Sequence, residues 1–311
     1  MKVLVTGANG FVGRTLCAWL LKTGHEAVPG VRREYGMRGE AVVGDIDAAT
    51  HWAETLEGCQ ALVHLAARVH VMRDTAADPL EEFRRTNVAG TLNLARQAAA
   101  AGVRRFVFIS SVKVNGESTL PGRPFTERDA PAPQDAYGLS KLEAELGLRA
   151  IAQETGMELV VIRPPLVYGP GVRANFRALM RAVARGLPLP LAAVDNRRSL
   201  VGLDNLVDFI VTCIDHPSAA HEIFLVSDGE DLSTPGLIRG LAQAMGRSPR
   251  LFRLPLWMLW IPAALLGRRA TLERVCGSLQ VDISKARTIL GWHPPVPVSE
   301  GLAQVVRHHT S

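Results

Sequence analysis

The stretch Thr6-Gly7-Ala8-Asn9-Gly10-Phe11-Val12-Gly13 decides the fold of this chain. It follows a short apolar run, Lys2 to Thr6, which predicts a strand, and it leads into Phe11 to Lys22, whose apolar spacing predicts a helix. Glycines permit a tight turn and a close approach of phosphate to the backbone, while the helix N-terminus offers N–H groups. In this position the GxxGxxG spacing predicts a dinucleotide-binding turn. The cofactor contacts expected there are Gly7, Asn9, Gly10, Phe11, Val12 and Gly13.

Strand and helix patterns alternate through the first half of the chain. The helical patterns are closed by glycines, as at Gly102 and Gly156. Alternation with short connections predicts a parallel sheet covered by helices on both faces, with right-handed crossovers. The further predicted strands are Glu26 to Arg32, Ala61 to Ala66, Arg105 to Ser110 and Glu158 to Arg163. The further predicted helices are Pro79 to Ala101 and Tyr137 to Thr155.

The composition of the sequence changes after Pro164. Proline and arginine become more frequent there, and strand and helix patterns alternate less regularly. We therefore predict an α/β fold, a Rossmann-type doubly wound parallel sheet with a smaller C-terminal substrate-binding cap. Residues 1–164 form the predicted dinucleotide-binding domain, and residues 165–311 form the interleaved substrate-binding domain. The run His221 to Ser227 is predicted to return to the first domain as another strand of its sheet.

The composition excludes a disordered, a collagen-like and a coiled-coil chain. The chain has 311 residues, 47% of them apolar and 21% charged, as in soluble globular proteins of about two domains. Its 35 basic and 30 acidic residues give a net charge of +5, but no block of like charges points to nucleic acid. The four cysteines lack metal-ligand spacing, so neither a metal site nor a disulfide framework is expected. Free thiols fit a reducing cytosol.

Two apolar runs bear on localisation. The N-terminal run is too short for a signal peptide, so a cytoplasmic location is expected. The later run, Leu254 to Leu266, is interrupted by two prolines and is shorter than the roughly 18 residues of a spanning helix. No membrane insertion is therefore expected. This run is predicted to be a buried helix or a cover over a pocket.

The residues that follow the second predicted strand discriminate between the nicotinamide cofactors. NAD enzymes normally place an acidic residue there, on the ribose 2′-hydroxyl. This chain has Arg32 and Arg33, followed by Glu34. Guanidinium groups suit a 2′-phosphate because they bind it through two parallel hydrogen bonds. NADP(H) is therefore favoured over NAD(H), and Glu34 keeps the NAD(H) alternative open.

The segment Tyr137-Gly138-Leu139-Ser140-Lys141 places a phenol and an ammonium group one turn apart on a predicted helix. A free phenol has a pKa of about 10, and a neighbouring ammonium and a nicotinamide cation both lower it. Lys141 can also bind the cofactor ribose. Ser111 lies at the carboxyl end of a predicted strand, the edge where parallel sheets bind ligands, and can orient the substrate oxygen. The predicted catalytic residues are Ser111, Tyr137 and Lys141.

These residues resemble the extended branch of the short-chain dehydrogenase/reductase superfamily, which includes nucleotide-sugar epimerases, dehydratases and reductases. The resemblance covers essentially the whole chain, including SSxxVYG at Ser110 to Gly116 and RPxxVYGPG at Arg163 to Gly171. The strand motif departs at Asn115, which replaces its tyrosine. The resemblance implies further cofactor contacts at Asp45, Ile46, Leu65, Ala66, Ala67, Asn87, Tyr137, Lys141 and Pro164.

The resemblance also implies a UDP-linked hexose as the substrate. The segment around Arg198 is similar to the one that binds the nucleotide diphosphate in this family. Dehydratases of this family carry an Asp-Glu pair directly after the catalytic hydroxyl residue. In this chain Val112 and Lys113 replace that pair. Because valine cannot exchange protons, a dehydratase is disfavoured. The implied substrate contacts are Val71, Ser111, Val112, Lys113, Tyr137, Asn175, Arg198 and Arg274.

The expected reaction is NAD(P)-dependent 4-epimerisation of a UDP-hexose by hydride transfer at C4. NADPH-dependent reduction of a UDP-linked, N-acetylated 6-deoxy 4-keto sugar shares the site and stays open. Residues 112–116 and 69–72 resemble the branch that acts on such sugars in surface-polysaccharide synthesis. The alternative from another class is a catalytically silent dinucleotide sensor. The family also implies a homodimer formed through the helices that start near Pro79 and Tyr137.

Overall fold

The structure is a computed structural model that describes residues 1–69, 78–120, 122–172, 174–265 and 269–310. Its centre is a seven-stranded sheet in which all neighbouring strands are parallel. The strands of the described residues are β1 (Lys2–Thr6), β2 (Glu26–Val31), β3 (Ala41–Val42), β4 (Ala61–His64), β5 (Arg105–Ile109), β6 (Glu158–Arg163), β7 (Leu166–Tyr168), β8 (Leu200–Gly202) and β9 (Ile223–Leu225). The order in the sheet is β3-β2-β1-β4-β5-β6-β9, and β7 and β8 form a separate parallel pair.

Helices cover both faces of the central sheet, as the alternating pattern predicts. The helices of the described residues, including those outside these two layers, are α1 (Phe11–Lys22), α2 (Ala53–Leu56), α3 (Pro79–Arg84), α4 (Thr91–Ala100), α5 (Ala136–Thr155), α6 (Ala174–Ala184), α7 (Leu203–Asp215), α8 (Thr234–Ala244), α9 (Leu256–Leu265), α10 (Arg269–Cys276), α11 (Ser284–Leu290) and α12 (Val298–Thr310). Helices α1 and α7 pack together and bury Leu16 and Phe209 in one core cluster. Helices α4 and α5 pack together and bury Leu94 and Leu148 in another. The predicted doubly wound α/β fold is confirmed.

The strand order fixes the place of the site. Strand β1 lies between β2 and β4, and chain order reverses there, so the carboxyl ends of the three strands adjoin. Thr6 at the end of β1 is in register with Gly30 on one side and His64 on the other. Ligands of open parallel sheets bind at such a reversal. The glycine turn that follows Thr6 therefore opens onto a crevice.

The predicted helix Pro79 to Ala101 forms with an interruption. Between α3 and α4, residues Arg85–Gly90 form a π-helical segment. Gly90 packs so closely on the loop after β3 that an added Cβ would lie 2.8 Å from Ile46 Cγ2. The wider turn buries the Asn87 side chain. Single π-helical turns inside α-helices are frequent at functional sites.

The C-terminal half builds a third core cluster from α6, α8 and α12, with Met180, Leu241 and Leu302 among its buried residues. Strand β9 leaves this half and pairs with β6 at the edge of the central sheet. The predicted apolar helix forms as α9, but the prediction that it is buried is wrong for Leu256, Trp257 and Ile261, which are exposed. Among the described residues, no helix combines the length and apolarity that crossing a bilayer requires.

Candidate active site

The turn between β1 and α1 is a backbone cradle. Gly7 adopts a φ of +68°, a conformation that L side chains rarely take, and its carbonyl accepts a hydrogen bond of 2.9 Å from Gly10 N. An added Cβ at Gly13 would lie 2.3 Å from that same carbonyl oxygen. Gly10 caps α1 without a side-chain hydrogen bond, so Phe11 and Val12 begin a helix whose N-terminus suits a phosphate. This cradle, which side chains would fill, fits the pyrophosphate of a dinucleotide.

The loop after β4 packs onto this turn. An added Cβ at Gly7 would lie 2.9 Å from Ala66 N, and Ala66 N donates to Thr6 Oγ1 at 3.3 Å. The fully buried His64 is fixed between two threonines, with Nδ1 at 2.7 Å from Thr6 Oγ1 and Nε2 at 2.9 Å from Thr91 Oγ1. Burial lowers the pKa of His64 to about 3, and the positive charge of Lys141 adds to this effect. The imidazole is therefore neutral and structural. Leu65 and Ala66 lie beside the turn, and Ala67 follows them in the chain.

Asn87 joins the same loop to the helix that carries the tyrosine. Its Oδ1 accepts from Arg68 N at 2.8 Å, and its Nδ2 donates to Arg68 O and to Ser140 Oγ, each at 3.0 Å. These bonds hold the β4 loop against α5. The structure thus places the predicted cofactor residue Asn87 between the loop after β4 and helix α5.

The residues that discriminate between the cofactors lie at the carboxyl ends of β2 and β3. Arg32 Nε is 3.2 Å from Asp45 Oδ1, and both side chains are exposed. Arg33 is exposed as well, and Ile46 packs against Gly90. The Asp45 carboxylate offsets part of the positive charge of Arg32. Sequence reasoning did not anticipate that these two predicted cofactor contacts pair with each other.

Helix α5 holds the predicted tyrosine and lysine at the carboxyl end of β5. Asp135 caps the helix by accepting a 2.7 Å hydrogen bond from Gly138 N. The Lys141 ammonium is buried, donates to Ile109 O at 2.8 Å, and lies 6.0 Å from the Tyr137 ring centroid. Ile109 is two residues before Ser111, so these contacts gather the three predicted catalytic residues around one strand end.

Burial shifts the protonation of both groups. Burial lowers the pKa of Lys141 to about 7, against an opposing influence of the Glu145 carboxylate. Burial also raises the pKa of the Tyr137 phenol well above its usual range, and the negative charge of Asp135 raises it further. The expectation that Lys141 lowers this pKa is thus not met by the groups of the protein. The groups of the protein therefore favour the protonated phenol, and the positive charge of a bound oxidised nicotinamide would oppose this effect.

Hydrogen bonds within the segment after β5, and from this segment to the loop after β6, hold it in place. Ser111 Oγ accepts from Lys113 N at 3.2 Å, and Val112 N donates to the carbonyl of Pro164 at 3.0 Å. The Val112 side chain is buried in the main core cluster. The Lys113 ammonium contacts the carboxylates of Glu117, at 2.8 Å, and Asp135. Of the two residues that replace the dehydratase Asp-Glu pair, one is apolar and buried and the other is held by carboxylates.

A buried ion pair behind the site was missed by sequence reasoning. Arg163 contacts Glu145 at 2.5 Å and 3.0 Å, and both side chains are almost wholly buried. Ser110 Oγ donates to Glu145 at 2.5 Å, and Arg163 Nη1 donates to Asn115 Oδ1 at 3.1 Å. This network ties the ends of β5 and β6 to α5. It also gives a role to Asn115, which departs from the family motif. The available signal was Glu145, one turn after Lys141.

The predicted substrate residues are only partly brought together. Arg198 Nη1 donates to Arg274 O at 2.8 Å and to Gly277 O at 3.0 Å, so the two predicted diphosphate contacts lie on adjoining segments. Burial lowers the pKa of Arg198. Asn175 is exposed in the first turn of α6, and Val71 lies outside the described residues.

Fold and site together define a class: an α/β protein with a dinucleotide cradle at the strand-order reversal, beside a half-buried tyrosine and a buried lysine. The family model described as "NAD dependent epimerase/dehydratase family" matches residues 3–227. The chain belongs to this family. The predicted resemblance to the extended short-chain dehydrogenase/reductases is thereby confirmed, as is the prediction of an enzyme that uses a nicotinamide cofactor.

Individual relatives agree with this membership. A UDP-glucose 4-epimerase from Vibrio cholerae is 49% identical, over 98% of this chain and 94% of that protein. The solved UDP-glucuronic acid 4-epimerase from Bacillus cereus in complex with NAD is 22% identical, with a TM-score of 0.79 over 100% of this chain and 99% of that one. RMD from Pseudomonas aeruginosa, solved with NADPH, is also 22% identical, with a TM-score of 0.76 over 100% of both chains.

Proposed function

We propose that this chain is an NAD(P)-dependent 4-epimerase of a UDP-linked hexose. The observation that carries the proposal is the buried Lys141 ammonium, held by Ile109 O at 2.8 Å and facing the Tyr137 ring at 6.0 Å. This arrangement lies at the strand end that leads to Ser111. The 49% identity to a UDP-glucose 4-epimerase supports the same reaction.

Each residue has a distinct task in this proposal. Tyr137, as the phenolate that Lys141 and an oxidised nicotinamide would favour, would accept the proton of the C4 hydroxyl as the hydride leaves C4, and would return it when the hydride comes back. Ser111 would donate a hydrogen bond to the C4 oxygen. Lys141 binds the cofactor ribose and stabilises the negative charge that develops on the phenol when it gives up its proton. The bound cofactor supplies the acceptor and donor for the C4 hydride. Removal and return of the hydride on opposite faces requires the 4-keto sugar to rotate within the site.

We propose that the substrate is bound mainly by residues of the C-terminal cap. Arg198 and Arg274 would bind the diphosphate, Asn175 the sugar nucleotide, and Val71, Val112 and Lys113 the sugar. The adjoining segments of Arg198 and Arg274 support this assignment. We also propose the division into a cofactor-binding part, residues 1–164, and a substrate-binding part, residues 165–311, with β9 as the returning strand.

A 4-keto-reductase is the second candidate. Arg32 and Arg33 favour binding of NADPH, which a reductase takes from solution for each turnover. The Arg32–Asp45 pair weakens that preference, since it places a carboxylate beside the guanidinium. We retain NADP(H) as the proposed cofactor, with NAD(H) as the alternative. An epimerase must keep its cofactor between the two hydride transfers, whereas a reductase must exchange it.

Assembly and location complete the proposal. Helices α3 to α5 present a groove of about 530 Å³ whose lining includes Arg84, Arg96 and Glu143, and we propose that this face pairs two chains as a homodimer. We further propose a cytoplasmic location, which the four free cysteines support because thiols persist in a reducing compartment.

The test is interconversion of UDP-glucose and UDP-galactose by the purified chain, together with mass spectrometry of the cofactor that co-purifies. We expect turnover without added cofactor, and a loss of about 10²- to 10⁴-fold in kcat for Tyr137→Phe. Tyr35→Phe is the matched control, because Tyr35 is an exposed tyrosine near the glycine turn. Turnover that needs added NADPH and a 4-keto sugar would favour the reductase. Unchanged turnover in Tyr137→Phe would contradict both enzymes.

A further inference from the structure

An exposed apolar surface lies at the start of α9. Trp257 is 63% exposed and Ile261 is 54% exposed, and their i, i+4 spacing places them on one side of the helix. Phe252, Leu256 and Met258 are exposed beside them. Soluble chains rarely expose apolar side chains in such a contiguous group, and a group of this kind marks an interaction site.

Two segments of the sequence are rich in arginine, and one of them contains this surface. Residues 232–272 contain six arginines, residues 172–194 contain four, and neither segment contains an aspartate or glutamate. The rest of the chain therefore has 25 basic and 30 acidic residues. The excess of positive charge in this mildly basic chain is thus concentrated in these two segments.

The fold joins the two arginine-rich segments. Leu189 N donates to Arg250 O at 2.8 Å, and Phe252 N donates to Leu189 O at 3.1 Å. The Arg247 guanidinium donates to Ala184 O at the end of α6. The exposed arginines Arg185, Arg247, Arg250 and Arg253 therefore lie on adjoining backbone, next to the apolar side chains.

We propose that Phe252, Leu256, Trp257, Met258 and Ile261 form a docking surface that lies on an anionic phospholipid bilayer. The neighbouring arginines would contact the headgroup phosphates while the apolar side chains enter the region just below them. Apolar residues that include tryptophan, combined with arginines and without acidic residues, are what interfacial helices present to anionic lipid. The helix lies on the membrane in this proposal and does not cross it.

Charge decides between the bilayer and other occupants. A second copy of this chain, paired through the same surface, would bring arginine against arginine with no carboxylate of either segment between them. A nucleic acid would satisfy the arginines but would leave the aliphatic Leu256, Met258 and Ile261 without an apolar partner. An anionic bilayer satisfies both the positive charge and the apolar side chains.

The experiment is co-sedimentation of the full chain with phosphatidylcholine vesicles, with and without phosphatidylglycerol. We expect binding to the anionic vesicles that weakens as salt is added. Trp257→Ser should lower the partition coefficient by about tenfold or more, because its indole no longer leaves water. Arg250→Gln with Arg253→Gln should lower it by about 25-fold, since each surface arginine contributes about fivefold. Leu21→Ser, at an exposed leucine of α1, is the matched control and should bind as the wild type does.

Four results would overturn the proposal. The wild-type chain could remain in the supernatant with anionic vesicles, or Trp257→Ser could bind as strongly as the wild type. Trp257→Ser could also lose turnover of a soluble UDP-sugar, which would make the surface a cover over the substrate. The proposed epimerase activity is assayed without vesicles, so its failure would leave the binding result readable. A wild-type assembly that Trp257→Ser dissociates in sedimentation velocity would assign the surface to a second copy instead.

Discussion

Helices α5 and α9 reverse the usual relation between polarity and burial. Helix α5 carries Lys141 and Glu145, and both charged side chains are almost wholly buried. Helix α9 is made almost entirely of apolar residues, yet Trp257 and Ile261 are largely exposed. The difference lies in what each helix contacts, because α5 packs against α3, α4 and the central sheet whereas α9 packs mainly on the short helix α10.

The two helices differ in how they compensate for side chains in an unfavourable environment, which are buried charges in α5 and exposed apolar groups in α9. In α5, each buried charge has a partner: Glu145 contacts Arg163, and Lys141 donates to Ile109 O. Buried charges are tolerated when they are paired and hydrogen-bonded. In α9, the exposed apolar side chains of the described residues have no such compensation within the chain. That contrast makes α5 a rigid part of the site and α9 a surface available to an external partner.

The largest expected effect comes from breaking the buried pair under α5. Glu145→Ala leaves the Arg163 guanidinium buried without its carboxylate, and should lower the free energy of unfolding by about 3–5 kcal/mol. Urea denaturation measures this change. Glu154→Ala, at an exposed glutamate near the end of the same helix, should change it by no more than about 0.5 kcal/mol. Equal midpoints for the two variants would show that burial of the pair contributes nothing to stability.

A smaller effect concerns the buried cation. Because burial lowers the pKa of Lys141 to about 7, its ammonium is present below that pH and is lost above it. We expect NAD affinity to fall by about fivefold from about pH 6 to about pH 8, as a charge-assisted hydrogen bond to the ribose becomes a neutral one. Titration calorimetry with NAD is the measurement, since NAD lacks the 2′-phosphate that titrates near pH 6.

Two variants separate Lys141 from other titrating groups. Lys141→Met should bind NAD weakly and with no pH dependence in this range. His64 does not titrate there, because its pKa is about 3. Arg253→Gln, which removes an exposed cation near α9, should follow the wild-type profile. A flat profile for the wild type would show that Lys141 keeps its charge throughout.

The smallest expected effect comes from α9. Trp257→Ser should change the free energy of unfolding by no more than about 0.5 kcal/mol, because an exposed side chain gains little from folding. The midpoint of a urea denaturation curve, recorded without vesicles, tests this expectation. A loss of 2 kcal/mol or more, about what a buried large apolar side chain contributes, would mean that Trp257 is packed in solution and that the contrast with α5 fails.

Much of the nucleotide-binding half could be predicted from the sequence, because its signals are local. A strand, a glycine turn and a helix within about twenty residues predict the cradle, and the structure forms them as β1, Gly7 to Gly13 and α1. The π-helical turn at Asn87 and the Arg32–Asp45 pair could not be predicted in this way. Both depend on residues that the sheet brings together from distant parts of the chain.

The sequence by itself determined the alternation that makes the sheet, the glycine cradle, and the spacing that places Tyr137 and Lys141 one turn apart. Those features depend on neighbours within one element, where backbone geometry sets the distances. The tertiary structure alone decided that Arg163 lies under Glu145, that burial raises the pKa of Tyr137, and that α9 faces outward. Burial and long-range pairing depend on which elements pack together, and residue type alone does not determine that packing.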